Sequence, residues 1–384
     1  MSQRYYSLDV FRGATVALMI LVNNPGSWGH IFPPFAHAPW NGATPTDWVF
    51  PFFLFAVGNA MAFALPKLQQ QGSTVYWKKI LQRTFLIFII GLTLNWYPFG
   101  SFTENGWVFR SWVSKENPES GVRILGVLQR IALCYGIAGL LIFFFKPKAL
   151  ALISAFILLA YWAVAYGLGT PGDPYSLSGF FGTGIDKSIL SVAHMYKGEG
   201  IPFDPEGLVS TLPAVVQVII GYLTGLFIIK SGKSYQTLSY LFIAGTLLLL
   251  VANGWNYVFP INKKIWTSSY VLYAGGWSVL LLSMLVYYIE FTNKKNFGTE
   301  WFSVFGKNPL FIFVLSIVIP KTSGLIRFTY NGEKTTPLHW FYTNVCKNIH
   351  TDLRWGSLLY AIVFVMILWA IAYWLNKKKI YIKV

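Results

Sequence analysis

Long apolar runs broken by polar stretches dominate the chain. Ten of them approach the ~20 residues that an α-helix needs to cross a bilayer. They cover 8–24, 47–66, 76–96, 122–144, 149–168, 211–229, 235–252, 268–290, 301–320 and 355–376. The breaks alternate in character. One set is short and basic: Lys67, Lys78, Lys79 and Arg83, then Lys146 and Lys148, then Lys230 and Lys233, then Lys294 and Lys295. The tail adds Lys377, Lys378, Lys379 and Lys383, and the head adds Arg4. With ten spans all of these share one side. An excess of Lys and Arg in short loops marks the cytoplasmic side, so both termini are predicted there. The other set is longer, at about 25–46, 97–121, 169–210, 253–267 and 321–354, and is rich in Pro, Gly and Trp. It holds all five histidines, His30, His37, His194, His339 and His350. Loops on rigid scaffolds carry function, so the working face is expected to be external.

Composition agrees with this reading. The 384 residues are 55% hydrophobic and 11% charged, against about 25% charged in soluble domains. The expected fold is an all-α polytopic membrane protein, one domain over 1–384, embedded in a lipid bilayer. The net charge of +16 lies in clusters between apolar runs, which argues for cytoplasmic loops and against a nucleic-acid partner. The first apolar run has no small-residue cleavage site and reads as a span, not a signal peptide. Cys134 falls in a predicted span and Cys346 in a loop, so no disulfide is expected. No clear internal repeat is visible.

Several polar residues sit where an apolar span makes them costly or conspicuous. Asp9 and Arg12 lie three apart on one face of the first span, suited to an ion pair or to an anion contact. Asn23 closes that span about three turns beyond Arg12. His37 follows in the loop. Asp47 stands at the start of the second span, able to cap that helix and to fix the tautomer of an imidazole. Pro39, Trp40 and Pro45 stiffen the segment between them. Arg123 and Arg130 are seven apart in the fourth predicted span, with Gln129 beside them, which predicts a shared face. Arg130 lies inside the apolar region, where a charge usually needs a partner. A carboxylate such as Asp47 and a substrate's charged group are both open readings. Asp204 and Glu206 form an acidic turn before the sixth span, suited to an amino group, to sugar hydroxyls or to a helix N-terminus. Asn262, Lys263, Trp266 and Ser268 offer polar and stacking groups before the eighth, with interfacial anchoring the plain alternative for Trp266. The chain has no Walker loop, GxSxG, HExxH or CxxC pattern, so neither a serine triad nor a metal centre is indicated.

Five blocks, SLDVFRG at 7–13, HAPWNGATPTDWVFPFFLFAVG at 37–58, RILGVLQRI at 123–131, DPEGLVSTLPA at 204–214 and NKKIWTSSYV at 262–271, resemble, in order, the transmembrane heparan-α-glucosaminide N-acetyltransferase family. The resemblance implies an acetyl group passing from cytoplasmic acetyl-CoA to an amino sugar of glucosamine type on the far side. It matches His37 to the family's active histidine, Asn23 to its supporting asparagine and Asp47 to its acid. It suggests Arg123 and Arg130 for coenzyme or active-site contacts; the residues themselves add Arg12 and Gln129 as coenzyme candidates, and Asp204, Glu206, Asn262, Lys263, Trp266 and Ser268 as acceptor candidates. The first span is also similar to wider membrane acyltransferases with an arginine eleven residues ahead of a histidine. Here that second position is Asn23, which leaves the chemistry to His37. Lysosomal members carry an extra luminal domain and one more span, and the chain begins almost at the shared core, so heparan sulfate is not implied. The loop from Asn23 to His37 is slightly longer than in those members. Relatives of this size imply a bacterial inner membrane, and some are labelled transporters, so transport of amino or N-acetylated sugars is the competing expectation. The resemblance is compatible with a homodimer, for which the sequence has no signature.

These residues predict a tunnel that admits the slim pantetheine arm and holds the nucleotide's phosphates with arginines. His37 is expected at the outer end, as nucleophile or as general base.

Overall fold

The apolar runs fold as helices in a computed structural model that describes residues 5–103 and 106–382. Arg4 and Lys383 lie outside the described residues. The helices are α1 (Tyr6–Asn23), α2 (Val49–Gln70), α3 (Ser73–Trp96), α4 (Val127–Phe144), α5 (Pro147–Leu168), α6 (Gly182–Leu190), α7 (Leu208–Ser231), α8 (Tyr235–Trp255), α9 (Ser268–Val286), α10 (Phe297–Lys307), α11 (Pro309–Ser323), α12 (Pro337–Asn344) and α13 (Leu353–Lys377). Two small antiparallel hairpins sit in the long loops: β1–β2 (Gly100–Thr103, Gly106–Phe109) and β3–β4 (Phe328–Tyr330, Glu333–Thr335).

Among the described residues, eight helices are long and apolar enough to cross a membrane, or nine if the bent pair α10–α11 is one span. Ten spans were expected. Helix α3 has the length but, with Lys78, Lys79 and Arg83 in its first half, is not among the eight. The run 301–320 is not one straight helix. It bends by 80° between α10 and α11. Pro309 disfavours the helical conformation of the residue before it, and Asn308 sits at φ −131°, ψ 48°. Asn308 is fully buried, and its carboxamide binds the tail after α13: Nδ2 donates to Ile380 O at 3.0 Å and Oδ1 accepts from Ile382 N at 2.8 Å.

A second correction concerns the segment ahead of α4. Residues 122–126 are extended, so Arg123 and Arg130 do not share a helical face. The backbone here bonds sideways. Val122 N donates to Trp112 O and Ile124 N to His194 O, while Asn95 Nδ2 donates to Arg123 O and Leu125 O.

Helix α2 is the axis of the core. Its Phe50, Leu54, Met61 and Leu65 pack with Val215, Val218 and Ile219 of α7 and with Tyr270 and Ala274 of α9. Small residues let the backbones touch. A Cβ on Gly58 would lie 1.8 Å from Val218 O, and one on Gly221 would lie 2.1 Å from Phe55 O. Such contacts are the usual basis of close helix pairs in membranes, where lipid removes the hydrophobic drive between helices. A similar crossing joins α1 to α10, where a Cβ on Gly13 would meet Phe302 O at 1.7 Å.

Candidate active site

The end of α1, the start of α2, the start of α7 and the start of α9 meet at the face carrying the long loops. Asp47 organises the meeting. A short 3₁₀ turn, Pro45–Trp48, leads into α2 and forms a capping box with Thr44. Asp47 Oδ2 accepts from Ala38 N (3.0 Å), Thr44 N (3.0 Å) and Thr44 Oγ1 (3.2 Å). Its other oxygen, Oδ1, stands 2.6 Å from His37 Nδ1. A carboxylate accepts, so Nδ1 carries a hydrogen toward Asp47. Capping and orientation of an imidazole are thus performed by one side chain. Tyr270 of α9 donates to Asp47 O at 2.6 Å and fixes the turn from below.

The loop between His37 and Asp47 is laced to the turn before α9. Gly42, at φ +95°, donates from N to Ile261 O at 2.7 Å. Asn262 Nδ2 donates to Asn41 Oδ1 at 3.2 Å. This lacing brings Lys263 over the dyad, with Nζ 3.2 Å from His37 Nδ1 and 3.4 Å from Asp47 Oδ1.

A cleft of about 820 Å³ opens here, with His37, Asp47, Arg123, Glu206, Lys263 and Trp266 in its wall. Arg123 forks onto Asp204 at 3.0 and 2.5 Å and also pairs with Glu206. Burial opposes its charge, but Glu206 and Asp204 more than offset this and hold the guanidinium above its ordinary value. Burial likewise raises Glu206, and Arg123 outweighs it, so that carboxyl is held below its ordinary value. Trp266 floors the cleft in a left-handed conformation, φ +52°, with Arg130 stacked 5.0 Å from its ring centroid.

The remaining sequence candidates divide. Arg130 is fully buried and donates to Gly207 O at 2.9 Å and to Ser210 Oγ, so its partner is the N-terminus of α7 and not Asp47. Gln129 donates to Ile124 O inside the fold. Asn262 accepts from Lys264 N with its carboxamide oxygen, and Ser268 donates to Leu158 O; both are fully buried. Trp266 is buried and is not an interfacial anchor. Asn23 is exposed at the end of α1 and makes no hydrogen bond to His37 or Asp47. Tyr196 and Glu199 of the cleft wall were not singled out by the sequence. Both lie in the longest predicted loop, whose path α6 and the α7 entry decide.

A second cavity, about 1470 Å³, is walled by part of α2, from Phe53 to Leu65, with Val127, Leu128 and Ile131 of α4 and Phe313 of α11. These α2 residues span about 18 Å along the helix. Ala56, Ala60 and Ala64, four apart, face it together. Arg12, Arg83 and Lys307 also line it, and Ile382 reaches it from the tail. Arg12 pairs with Asp9, which is the ion-pair reading of their spacing. Cations beside a long apolar cavity suit a molecule with a phosphorylated head and a slim arm.

Residues 4–252 match the family described as heparan-alpha-glucosaminide N-acetyltransferase, catalytic. Over its whole length the chain is 25% identical to 61% of heparan-alpha-glucosaminide N-acetyltransferase from Mus musculus. Over 81% of its length it is 26% identical to 52% of the Homo sapiens protein of that name. The chain thus spans between half and two thirds of these curated relatives.

Proposed function

Because the chain belongs to the heparan-alpha-glucosaminide N-acetyltransferase catalytic family, we propose that it is a membrane-embedded acetyltransferase that moves an acetyl group from acetyl-CoA to an amino sugar. The observation that carries this reading is the His37–Asp47 pair at 2.6 Å on the wall of a polar cleft. The adjoining α2 segment walls a cavity with three cationic side chains. Asp47, in the turn that leads into α2, and Phe53 of α2 are six residues apart, about 9 Å along a helical path. One continuous turn and helix therefore relates the place of acetyl transfer to the place of the donor.

Acetyl-CoA enters as the co-substrate from the face of the short basic loops, which this reading puts in the cytoplasm with both termini. Arg12, Arg83 and Lys307 bind its phosphates, and the apolar lining accepts the pantetheine arm. Arg123 belongs to the acceptor cleft, where Glu206 offers a carboxylate to the sugar's amino group and Trp266 a surface for its ring. His37 Nε2 meets the thioester from the far, periplasmic side of a bacterial inner membrane. Asp47 holds the ring and stabilises the imidazolium that forms when Nε2 takes a proton or an acyl group.

The test uses purified protein with radiolabelled acetyl-CoA and glucosamine, beside His37→Ala. Labelled N-acetylglucosamine from the unmodified protein, abolished in the variant, supports the proposal. Glucosamine uptake into proteoliposomes that needs no acetyl-CoA and survives the substitution overturns it in favour of transport. Labelling of single-cysteine variants from either side of the membrane tests the sidedness.

A further inference from the structure

An amino sugar meets the cleft largely as an ammonium ion, which has no lone pair with which to attack a carbonyl. One proton must leave before the N–C bond forms, and a second as it forms. His37 Nε2, which faces the thioester, can serve one of these events at a time. The first needs another base on the cleft wall.

Lys263 stands in the right place. The turn from Asn262 to Thr267 is rigid: Asn262 Oδ1 accepts from Lys264 N at 2.8 Å and from Ile265 N at 3.2 Å, and Trp266 N donates to Lys263 O at 3.1 Å. Its neighbour Lys264 has its own carboxylate, Glu199, at 2.5 Å. Arg123 takes Asp204 and Glu206. Lys263 instead shares Asp47 Oδ1 with His37, because Asp47 Oδ2 is filled by three donors from residues 38 and 44. One carboxylate charge therefore serves two basic groups.

We propose that Lys263 is a catalytic base that takes the first proton from the acceptor's ammonium group, a role that rests on the acetyl-transfer reading above. The entering ammonium supplies the one positive charge that Asp47 balances. The proton passes to the neutral Lys263 amine, giving a free sugar amine and a lysine ammonium, with the net charge of the cluster unchanged. The free amine attacks the acetyl carbon of the thioester. The N–C bond forms, His37 takes the second proton, and the C–S bond breaks with that proton ending on the thiol of CoA. The Lys263 ammonium then returns its proton to water at the cleft mouth. Burial pulls the Lys263 amine below its ordinary value, against Asp47 and Glu206, which pull it up, while Lys264 adds to the lowering. That direction lowers the cost of removing a proton from Lys263, at a position where its carboxylate partner is shared with His37.

Two acceptors and two variants test this. Glucosamine is cationic near neutral pH, whereas an arylamine such as 4-methoxyaniline is largely uncharged there and needs no first deprotonation. Lys263→Arg keeps a charge that never leaves, and Lys263→Met keeps the stem. Each is expected to lower kcat/KM for glucosamine by at least about 10²-fold at pH 7, with recovery as pH rises and the free amine accumulates. The loss on the arylamine is expected to be far smaller, which also reports an intact fold. Equal losses on both acceptors, or no loss on glucosamine, overturn the role of Lys263 alone. Failure of the unmodified protein to acetylate either amine overturns the acetyl-transfer reading and this proposal with it.

Discussion

The cleft, lined by Asp47 of the turn before α2, and the apolar cavity, walled by α2 from Phe53 to Leu65, are neighbours along one segment and differ in almost everything else. In the cleft, Asp47 alone receives donors from residues 37, 38, 44 and 263, and every lining charge described above has a partner within 3.4 Å. In the cavity, α2 presents Ala56, Ala60 and Ala64, whose value is the room they leave. Groups that must act on developing charge are fixed beforehand, so that nothing need reorganise at the moment of reaction. A passage for a flexible arm needs width and low polarity. The division predicts that substitutions in the cleft alter turnover, whereas those in the cavity alter the apparent affinity for the donor.

The strongest way to break this division is His37→Ala. Its kcat is expected to fall by about 10²–10⁴-fold if His37 is a base, and to vanish if it is the nucleophile, with acetyl-CoA affinity by calorimetry little changed. A large loss of donor affinity would erase the distinction. Asp47→Asn is next, with a fall in kcat of about 10–100-fold, because an amide does not stabilise an imidazolium as a carboxylate does. Arg83→Gln and Lys307→Gln sharpen the cavity side. Each is expected to raise KM for acetyl-CoA about tenfold, ~1.4 kcal/mol, with the sugar's KM unmoved and the effect shrinking in high salt. The last effect falls on stability, not on turnover, and concerns the support beneath the cleft. Asp186 accepts from Leu208 N at the start of α7, and burial pushes its carboxyl up to about 6. A raised folded value means that its contribution is complete below about pH 4, the unfolded carboxylate range, and is lost as pH rises through about 6. Thermal unfolding in detergent should therefore show stability declining from pH 4.5 to 7.5, and Asp186→Asn should flatten that decline by up to about 3 kcal/mol.

The helices were readable because each long apolar run leaves few alternatives in lipid. Family membership was readable from blocks of residues in order. The ten-residue spacing of His37 and Asp47 also carried information, since a proline-stiffened loop ending in a capping turn returns on itself. Contacts between distant segments were not readable. Lys263 reaches His37 across 226 residues, and nothing local announces the lacing of Asn41 and Gly42 to the α9 entry. The extended course of 122–126 depends on Asn95, Trp112 and His194, whereas apolar periodicity alone continues the helix back to residue 122. The break at Asn308 had a local signal in Pro309, which hydropathy averaging over the run conceals.

The glycine crossings of α2 on α7 bear on how cargo can move through this molecule. Two helices seated carbonyl against Cα at Gly58 and Gly221 form a single stiff beam, and rocking one against the other would open gaps that lipid cannot fill. A beam of this kind suits a stationary partition through which a thread is passed. It is poorly suited to the swinging gate that alternating access demands.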